Sequence, residues 1–552
     1  IYLTSKSLYC EVGGVTAYRT THPQTASCNY ADVNVDINFT VHSGVVDNAE
    51  AVTDRSFYVA GVSAYSSQSC KDSINKGNVT VSGSYAGETL CVAGITGYGT
   101  FNNAENYGKI TLDENTVAKN TRTYIGGIVG GNDGTSVRTN NINRGDISVK
   151  GSYTTLVVGG ISAQNRLPLS NSENYGNIDI KAYASGNMTA AGIDTYHVRQ
   201  YYKTADKKIV MEGGNGPLTD CTNHGNITIE ALDSGSTAHV GGVCRQGQND
   251  MIRCVNNGDI EIKGSIGNTL YVGGVVTTNS ACLREDCVNN GDINVSATCG
   301  NTSNTGADVF IGGLCYSGGS NTTYRRCINN GDITFTGSAA NCARFGGIIA
   351  NVETAAKTNI IEECENHGDI VINGTSSARS AGTARFGGMF GQFTNGTVKV
   401  IGGFKNTGDI TFSGNQNSTT GISIGGIIGG SDGSATPVWS EWTGNIINEG
   451  KLSYTGTSQG GVYIGGIIAF SSKGVLPTSP VKFINTGDIE FTGTTPSTAS
   501  NLSGFAGTTV NALDNVQVFC NIYAPKFNGT TAGIITRLGR TANTVQFTNA
   551  KV

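Results

Sequence analysis

The chain is poor in charged residues, proline and tryptophan. Charged residues make up 14% of its 552 residues, against about 25% in typical soluble domains. It has only 8 prolines and 2 tryptophans, and its net charge is −5. This charge gives no basic surface that would favour nucleic acid or anionic lipid as a partner. No stretch approaches the ~18 consecutive apolar residues of a membrane-spanning helix. We therefore expect neither nucleic-acid binding nor a transmembrane segment.

Glycine, by contrast, is abundant, with 79 residues in the chain. Together with many threonines and asparagines, it favours strands and tight turns, because β-branched residues suit pleated surfaces and Gly and Asn suit turns. The hydrophobic share of 38% is sufficient for a narrow core and too high for a disordered linker. We predict an all-β protein with almost no helix. A chain that begins at Ile1 is expected to be a processed form or an excerpt.

A Gly-Gly or Ala-Gly pair between apolar residues is the first of two repeated marks. It is seen in Tyr124-Ile125-Gly126-Gly127-Ile128 and Phe345-Gly346-Gly347-Ile348. We call it the Gly-Gly mark. Its second glycine falls at 14, 61, 94, 127, 160, 192, 242, 274, 313, 347, 388, 426, 466, 507 and 533.

The second mark is Asn-x-Gly followed by Asp, Asn or Lys and an aliphatic residue, as in Asn256-Asn257-Gly258-Asp259-Ile260. We call it the Asn-x-Gly mark. Its glycine falls at 77, 108, 145, 176, 225, 258, 291, 331, 368, 408, 450 and 487. The two marks alternate strictly, so one repeat contains both.

This alternation predicts a single elongated parallel β-helix, or β-solenoid, of about 15 coils with three short strands in each coil. Stacked coils would supply the backbone hydrogen bonds that no single repeat can make. We predict one continuous solenoid over residues 1–552, with a loop insertion at 193–220 and degenerate terminal coils at 521–552.

Stacking would give the repeated small residues a structural role. The asparagines of the second mark, among them Asn256, Asn289, Asn329 and Asn366, are expected to form a ladder of side-chain amides. The glycine that follows each can adopt a left-handed turn without steric cost. The Gly-Gly pair either lets the strand bend or lets backbone pack closely inside the coil.

Two longer strings, Gly126-Gly127-Ile128-Val129-Gly130-Gly131-Asn132-Asp133-Gly134 and Gly425-Gly426-Ile427-Ile428-Gly429-Gly430-Ser431-Asp432-Gly433, extend the Gly-Gly mark. They resemble the GLUG-type repeats of bacterial surface proteins, which are similar to adhesins and other large extracellular β-helical proteins, notably of gut bacteria. The resemblance implies an exposed, non-catalytic location. It transfers no functional residues.

Cysteine is the third recurring residue. Fifteen cysteines are an odd number, so they cannot all pair within the chain. Five of them lie four residues before the glycine of successive Asn-x-Gly marks: Cys221, Cys254, Cys287, Cys327 and Cys364. A ladder of buried thiols is the favoured interpretation, because free Cys is among the most buried residue types. Disulfides between neighbouring coils are the alternative. A zinc site is not indicated, because no Cys-x-x-Cys pair or histidine partner has ligand spacing.

An acidic residue follows the marking glycine in five consecutive repeats: Asp259, Asp292, Asp332, Asp369 and Asp409. Stacked carboxylates would repel one another, and calcium or shared protons could relieve this, which makes them candidate calcium ligands. The alternative is turn aspartates that bond their own backbone in water. Catalysis needs two carboxylates in different environments, and five equivalent aspartates define no such centre.

Binding groups are expected where loops interrupt the repeat. The 193–220 insertion contains Tyr196, His197, Arg199, Tyr201 and Tyr202, which could bind a glycan or a neighbouring subunit. Trp439 and Trp442 lie in another enlarged loop and could stack on sugar rings. For both sets the alternative is packing against the flank of the solenoid.

These patterns favour a non-catalytic structural or adhesive protein at the cell surface or outside the cell, with no cofactor. Open strand edges invite pairing with another chain, so we expect end-to-end self-association into filaments or a surface layer. Glycans or a host surface are further candidate partners. The alternative function is a carbohydrate-active β-helix, either a polysaccharide lyase or hydrolase or a glycan-binding module.

Overall fold

All the elements described in the computed structural model are β-strands. The structure describes residues 10–19, 24–38, 56–131, 138–165, 167–197, 202–203, 209–210, 216–235, 237–247, 249–279, 281–300, 306–319, 321–376, 384–417, 419–431, 442–471, 481–496, 499–510, 513–525, 527–533, 535–538 and 547–548. In this part of the chain, no helix has the length and apolar character needed to cross a membrane.

The chain divides into two compact units. The first unit comprises Ile1–Asp250 and Cys254–Ile266, and the second comprises Met251–Arg253 and Gly267–Val552. Each unit is a stack of coils whose strands pair in parallel with the equivalent strands of the next coil, which confirms the predicted all-β parallel solenoid class. Continuity over the whole of 1–552 stays a prediction.

In each unit the strands form two sheets. In the first unit the first sheet contains Cys10–Gly13, Val33–Asn38, Ser56–Ala60, Val79–Tyr85, Thr89–Ala93, Ile110–Leu112, Val117–Gly126, Ile147–Gly159, Ile178–Ala184, Met188–Ala191, Ile227–Ser234, Ala238–Gly241 and Ile260–Ile266. Strands of the second sheet are Thr16–Arg19, Gln24–Thr25, Cys28–Asn29, Ser63–Lys71, Ile74–Asn75, Thr96–Asn102, Glu105–Asn106, Val129–Gly131, Arg138–Thr139, Ile142–Asn143, Leu169–Ser170, Glu173–Asn174, Asp194–His197, Leu218–Thr219, Thr222–Asn223, Cys244–Gly247 and Val255–Asn256.

The second unit repeats this arrangement. Its first sheet contains Leu270–Gly273, Ile293–Val295, Thr298–Cys299, Val309–Gly312, Ile333–Phe335, Ser338–Ala339, Ala343–Gly346, Ile370–Ile372, Thr375–Ser376, Ala384–Gly387, Ile410–Phe412, Asn415–Gln416, Ile422–Gly425, Leu452–Tyr454, Thr457–Ser458, Val462–Gly465, Ile489–Phe491, Asn501–Ser503, Ile522–Tyr523 and Thr530–Ala532. Its second sheet contains Met251–Ile252, Val276–Asn279, Leu283–Glu285, Val288–Asn289, Cys315–Gly318, Thr323–Arg325, Ile328–Asn329, Ile349–Asn366, Phe390–Asn406, Ile428–Ser431, Asn445–Asn448, Ile468–Ser471, Lys482–Asn485, Ala506–Val510, Val516–Val518 and Ile535–Leu538.

Two small strand pairs lie outside these sheets. Tyr202–Lys203 and Ile209–Val210 pair antiparallel within the predicted insertion. Leu513–Asp514 and Phe547–Thr548 pair in parallel.

A coil has more strands than the three predicted. The coil that starts at Ile110 has five, namely Ile110–Leu112, Val117–Gly126, Val129–Gly131, Arg138–Thr139 and Ile142–Asn143. The number was underestimated because extra corners interrupt each face of the coil. One of these corners is a left-handed residue three positions before the marking asparagine, with φ between 46° and 57°, at Ala26, Asp72, Asn103, Asn140, Asn171, Asp220, Arg253, Asp286, Arg326 and Glu363. Asn515 has the same conformation, with Val518 at the position that asparagine holds in the other coils.

The marking asparagines form a row of buried side chains in each unit. Within each row, Nδ2 of every asparagine except the last donates to Oδ1 of the asparagine one coil later, at 2.7–2.8 Å. Nδ2 of Asn485, the last in the second row, donates instead to the Gly504 carbonyl at 3.0 Å. Each Nδ2 also donates to the backbone carbonyl two residues ahead, at 2.7–3.2 Å. Both amide hydrogens are thus used inside the coil, where an unsatisfied polar group would be costly. The row in the first unit joins Asn29, Asn75, Asn106, Asn143, Asn174, Asn223 and Asn256, and the row in the second joins Asn289, Asn329, Asn366, Asn406, Asn448 and Asn485.

The Gly-Gly mark lies directly against this row. A Cβ on Gly127 would overlap both Cγ of Asn143 and the carbonyl oxygen of Gly160. A Cβ on the preceding Gly126 would overlap the carbonyl oxygen of Val129, where the chain turns into the second sheet. Of the two roles predicted for the pair, close backbone packing explains the second glycine, and the bend between sheets explains the first.

The marking glycine of Asn-x-Gly has a different role from the one predicted. None of the twelve is among the described residues with left-handed φ. A Cβ on Gly145 would instead overlap the carbonyl oxygen of Gly108, the marking glycine of the neighbouring coil. Close stacking of coils therefore selects glycine here.

One predicted copy of the Gly-Gly mark is out of register. Gly465 pairs with Ser503, and Gly504 lies at the position of the second glycine, with its carbonyl oxygen against Gly466. The pair is therefore Ser503-Gly504 rather than Ala506-Gly507. The predicted degenerate coil after residue 521 still stacks in part, because Ile522 pairs with Ile489 and Thr530 with Asn501.

We predict that Gly127→Ala destabilises the protein by about 2–3 kcal/mol, because the methyl group must displace Asn143 or the neighbouring backbone. The control is Gly235→Ala, where the nearest atom to a Cβ, the carbonyl oxygen of Ser185, is 3.7 Å away. Urea denaturation followed by circular dichroism measures both. Equal midpoints for the two variants would contradict the packing argument.

Candidate functional site

The predicted acidic ladder is part of the coil-to-coil bonding. The Asp292 carboxylate accepts the backbone N–H of Asp332, one coil later, at 2.9 Å. In the same way, the Asp332 carboxylate accepts the N–H of Asp369 at 2.8 Å, and the Asp369 carboxylate accepts the N–H of Asp409 at 2.7 Å. In the first unit, the amide oxygen of Asn226 accepts the N–H of Asp259 at 2.8 Å in the same way. Asp and Asn are interchangeable at this position because the role needs only a side-chain oxygen that accepts a hydrogen bond.

These carboxylates point at backbone rather than at a common centre. Burial raises the pKa of Asp369, and the charges of Asp332 and Asp409 raise it further, while the backbone hydrogen bond opposes both. Among the described residues, no group of three or more His, Cys, Asp or Glu side chains could hold a metal ion. The carboxylates of Asp292, Asp332 and Asp369 bond backbone, as the alternative interpretation has it, but the N–H they bond belongs to the next coil rather than to their own turn.

The predicted cysteine ladder consists of buried thiols. Cys221 and Cys254 in the first unit, and Cys287, Cys327 and Cys364 in the second, all have 0% exposure. Their Sγ atoms lie 3.4–3.6 Å from backbone carbonyl oxygens. Burial raises the pKa of Cys327, and its neighbours Cys287 and Cys364 add to the rise. None of the fifteen cysteines forms a disulfide.

The two predicted tryptophans do not form a paired binding surface. Trp442 is 1% exposed, donates from Nε1 to the Val398 carbonyl at 3.0 Å, and packs on Phe404 and Phe483. It is therefore a core residue and cannot stack on a sugar. Trp439 lies outside the described residues.

Only one side chain of the predicted insertion cluster is described. Tyr196 is half-buried in Asp194–His197, which pairs with Cys244–Gly247, and the Arg245 guanidinium lies 5.0 Å from its ring centre. The backbones of His197 and Tyr202 are described but their side chains are not, and Arg199 and Tyr201 lie outside the described residues.

Tyr196 belongs to a surface feature that the sequence interpretation missed. At the Gly-Gly corner the chain passes from the first sheet to the second, and outward side chains of the two sheets come together there. Tyr58 and Cys91 of the first sheet are buried against Ala64 of the second, and the partly buried Tyr65, Tyr98 and Tyr124 pack on this cluster. The corner is therefore re-entrant and lined by aromatic rings.

Two adjoining hollows lie along this corner in the first unit. One, of about 280 Å³, is lined by Tyr58, Glu88, Tyr98, Arg122, Tyr124 and Gln164, among others. The other, of about 340 Å³, is lined by Arg122, Tyr124, Val157, Gln164, Asn187 and Tyr196, among others. Arg122, Tyr124 and Gln164 contribute to both. We call the two hollows together the tyrosine cleft.

The rings of the cleft are ordered by the coil repeat. Tyr65 and Tyr98 occupy equivalent positions in neighbouring coils, and their rings stack with centres 5.7 Å apart and planes 5° apart. The ring of Tyr58 lies 5.3 Å from that of Tyr98. Burial raises the pKa of Tyr124, and the nearby Arg122 opposes the rise, so this hydroxyl is protonated at neutral pH.

A second row of exposed side chains follows the x position of the Asn-x-Gly mark in the first unit. Aromatic and cationic residues alternate there. Lys76 Nζ lies 5.1 Å from the ring centre of Tyr30 and 5.9 Å from that of Tyr107. Arg144 lies 4.8 Å from the Tyr175 ring, which stacks on His224 at 4.4 Å. Cation–π contacts of this kind contribute roughly 0.5–1 kcal/mol each at exposed sites, so the row stabilises the stack.

A signal for the cleft was present in the sequence. In four coils a tyrosine lies four residues after the second glycine of the Gly-Gly mark, namely Tyr18, Tyr65, Tyr98 and Tyr196. These tyrosines could have been recognised as one column. Their partner on the opposite wall, Tyr124, precedes the glycine pair of another coil, and only the fold brings them together.

Comparisons with known proteins find no matching family model, curated protein or solved structure.

We predict that, under native conditions, a thiol reagent labels exposed Cys28 rapidly and half-buried Cys10 and Cys520 slowly. The other twelve cysteines should react only after denaturation, because they are buried. Burial also raises the pKa of some of them, to about 12 for Cys299, which disfavours the reactive thiolate. Thiol counting with and without denaturant, followed by peptide mass mapping, measures this. Fewer than fifteen thiols in the denatured, unreduced protein would indicate disulfides instead.

Proposed function

We propose that this chain is a non-catalytic structural or adhesive protein, located at the cell surface or outside the cell. The observation that carries the proposal is the use of its repeated reactive side chains in coil-to-coil bonding. The asparagines bond one another, the carboxylates of the Asp292–Asp332–Asp369 series accept backbone N–H groups, and the cysteines are buried. The repeat therefore builds a scaffold.

Carbohydrate cleavage is the alternative function, and the charged side chains of the second unit bear on it. Glu285, Asp286, Arg325, Arg326 and Glu362 form one cluster of ion pairs with N–O distances of 2.7–3.2 Å. Hydrogen bonds from Arg326 and Arg325 lower the pKa of Glu285, and those from Arg326 lower that of Asp286. A glycosidase needs one protonated and one ionised carboxyl group. Here both are held ionised, which favours a structural role for the cluster.

Self-association end to end is part of the proposal. Successive coils in each unit are joined by in-register parallel pairing, such as Ile333–Ile370 and Ile370–Ile410. Any chain with the same repeat could pair with an open strand edge by the same bonds. Head-to-tail contacts of this kind produce filaments or layers when they do not close into a ring.

The exterior location is supported by composition, and the thiols are compatible with it. The low charge and the abundance of short polar residues match the resemblance to bacterial surface repeats. A buried thiol is shielded from oxidants, so an oxidising exterior is compatible with twelve buried free cysteines.

We expect the native protein to be accessible to antibody on intact source cells and to appear in filaments or an ordered layer by electron microscopy. Labelling of intact and permeabilised cells, with a cytoplasmic protein as control, measures location. Labelling only after permeabilisation would contradict the exterior location, and short single particles alone would contradict the self-association.

We also expect no depolymerisation of polysaccharides by the purified protein, and no difference in the Asp332→Asn/Asp369→Asn variant. Asparagine retains the accepting oxygen and occurs naturally at this position as Asn226, so the variant should fold. Size-exclusion chromatography of polysaccharide incubated with each protein measures chain length. Shortening by the wild type that is lost in the variant would establish the catalytic alternative.

A further inference from the structure

The row of tyrosines in the second sheet is interrupted by a glycine. Tyr65 is followed one coil later by Tyr98, and Tyr98 by Gly131. A Cβ on Gly131 would lie 2.9 Å from Cδ2 of Tyr98 and 3.3 Å from Sγ of Cys91. Glycine at this position therefore adds no side chain over the face of Tyr98, and the cleft opens beside it.

The opposite end of the cleft is closed by another ring. Tyr196 lines the 340 Å³ hollow, together with Val157 and Tyr124 on the first-sheet wall. Tyr98 lines the other hollow, of 280 Å³, and Tyr124 and Gln164 lie between the two. Two aromatic faces thus bound a pair of connected hollows. The larger volume lies at the small end of ligand pockets, which are about 300–1,000 Å³, and the smaller lies just below that range.

The polar side chains of the cleft can form hydrogen bonds, and their charges sum to zero. Arg122 and Glu88 contribute one positive and one negative side chain, and both are exposed. Gln164 and Asn187 contribute amides, which can both donate and accept. In the 280 Å³ hollow a strongly charged ligand would meet a side chain of like charge, either Arg122 or Glu88, whereas a neutral ligand rich in hydroxyl groups would not.

We propose that the tyrosine cleft binds a neutral saccharide chain of at least two linked pyranose units. A pyranose ring presents a face of C–H groups that packs on an aromatic ring, and an edge of hydroxyl groups that hydrogen-bonds to amides, guanidinium and carboxylate. The rings of Tyr98 and Tyr196 supply the faces, and Arg122, Gln164 and Asn187 supply the edge partners.

The strand spacing suits two such units. Tyr98, Gly131, Gln164 and Tyr196 occupy equivalent positions in four successive coils. With neighbouring coils about 4.8 Å apart, Tyr98 and Tyr196 are separated by roughly 14 Å, and two linked sugars can lie between their faces. The inference rests on the adhesive part of the proposed function and names the ligand class for it.

The test is binding of linear neutral hexasaccharides of glucose, mannose and galactose to the purified full chain, measured by calorimetry and saturation-transfer NMR. We expect the wild type to bind at least one of them. Tyr98→Ala should weaken binding about tenfold through loss of stacking, and Arg122→Ala about fivefold through loss of a hydrogen bond. Arg122 is exposed, so its variant should retain the fold.

The matched control is Tyr183→Ala, which removes an exposed tyrosine of the same unit that does not line the cleft. It should bind as the wild type does, and thermal denaturation should show that all three variants are folded. Absence of binding to every neutral hexasaccharide would overturn the inference. So would equal binding by wild type, Tyr98→Ala and Arg122→Ala, or binding of charged saccharides alone. Cell-surface labelling does not depend on this result, so a surface-located protein that fails to bind overturns only the saccharide inference.

Discussion

The fold of each unit depends on one contact, that between the buried asparagine amide and the glycine opposite it. The amide of Asn143 fills the space that a side chain on Gly127 would occupy, and it bonds Asn174 at 2.8 Å and the Gly145 carbonyl at 2.9 Å. A larger residue at the glycine would displace the amide, and an apolar residue at the asparagine would leave a backbone carbonyl without this donor. This mutual requirement explains why the two marks alternate so strictly along the chain.

The same corner that needs glycine also creates the tyrosine cleft. Because the chain turns between sheets at Gly126-Gly127, outward side chains on either side of the turn approach one another. Where both positions hold aromatic residues, as with Tyr58 and Tyr65, the corner is filled by rings 5.8 Å apart. Where the second-sheet position is Gly131, the corner is left open. The glycine turn is thus common to the coils, and the side chains beside it decide whether the outer corner is filled or open.

The sequence predicted the features in which residue identity repeats, and missed those in which only conformation repeats. Glycine and asparagine recur because a close backbone approach and a two-donor amide favour these residues over others, so the coil was visible from spacing. The left-handed corner was not visible, because Ala26, Asp72 and Arg326 all adopt it and share no side-chain chemistry. The cleft was missed for a different reason, since its walls come from separate coils. For Trp442 the sequence left both sugar stacking and packing on the solenoid open, because its burial depends on Phe404 and Phe483, distant in sequence.

The hydrogen bonds of the asparagine row all run in one sense, from each coil to the one after it. Aligned amide dipoles reinforce one another, as peptide dipoles do in a helix. A solenoid of this kind can therefore grow or shrink during evolution by whole coils, since a duplicated repeat arrives with its amide already oriented. Loss of part of a repeat would break the polarity as well as the register, which favours tandem duplication as the origin of the chain.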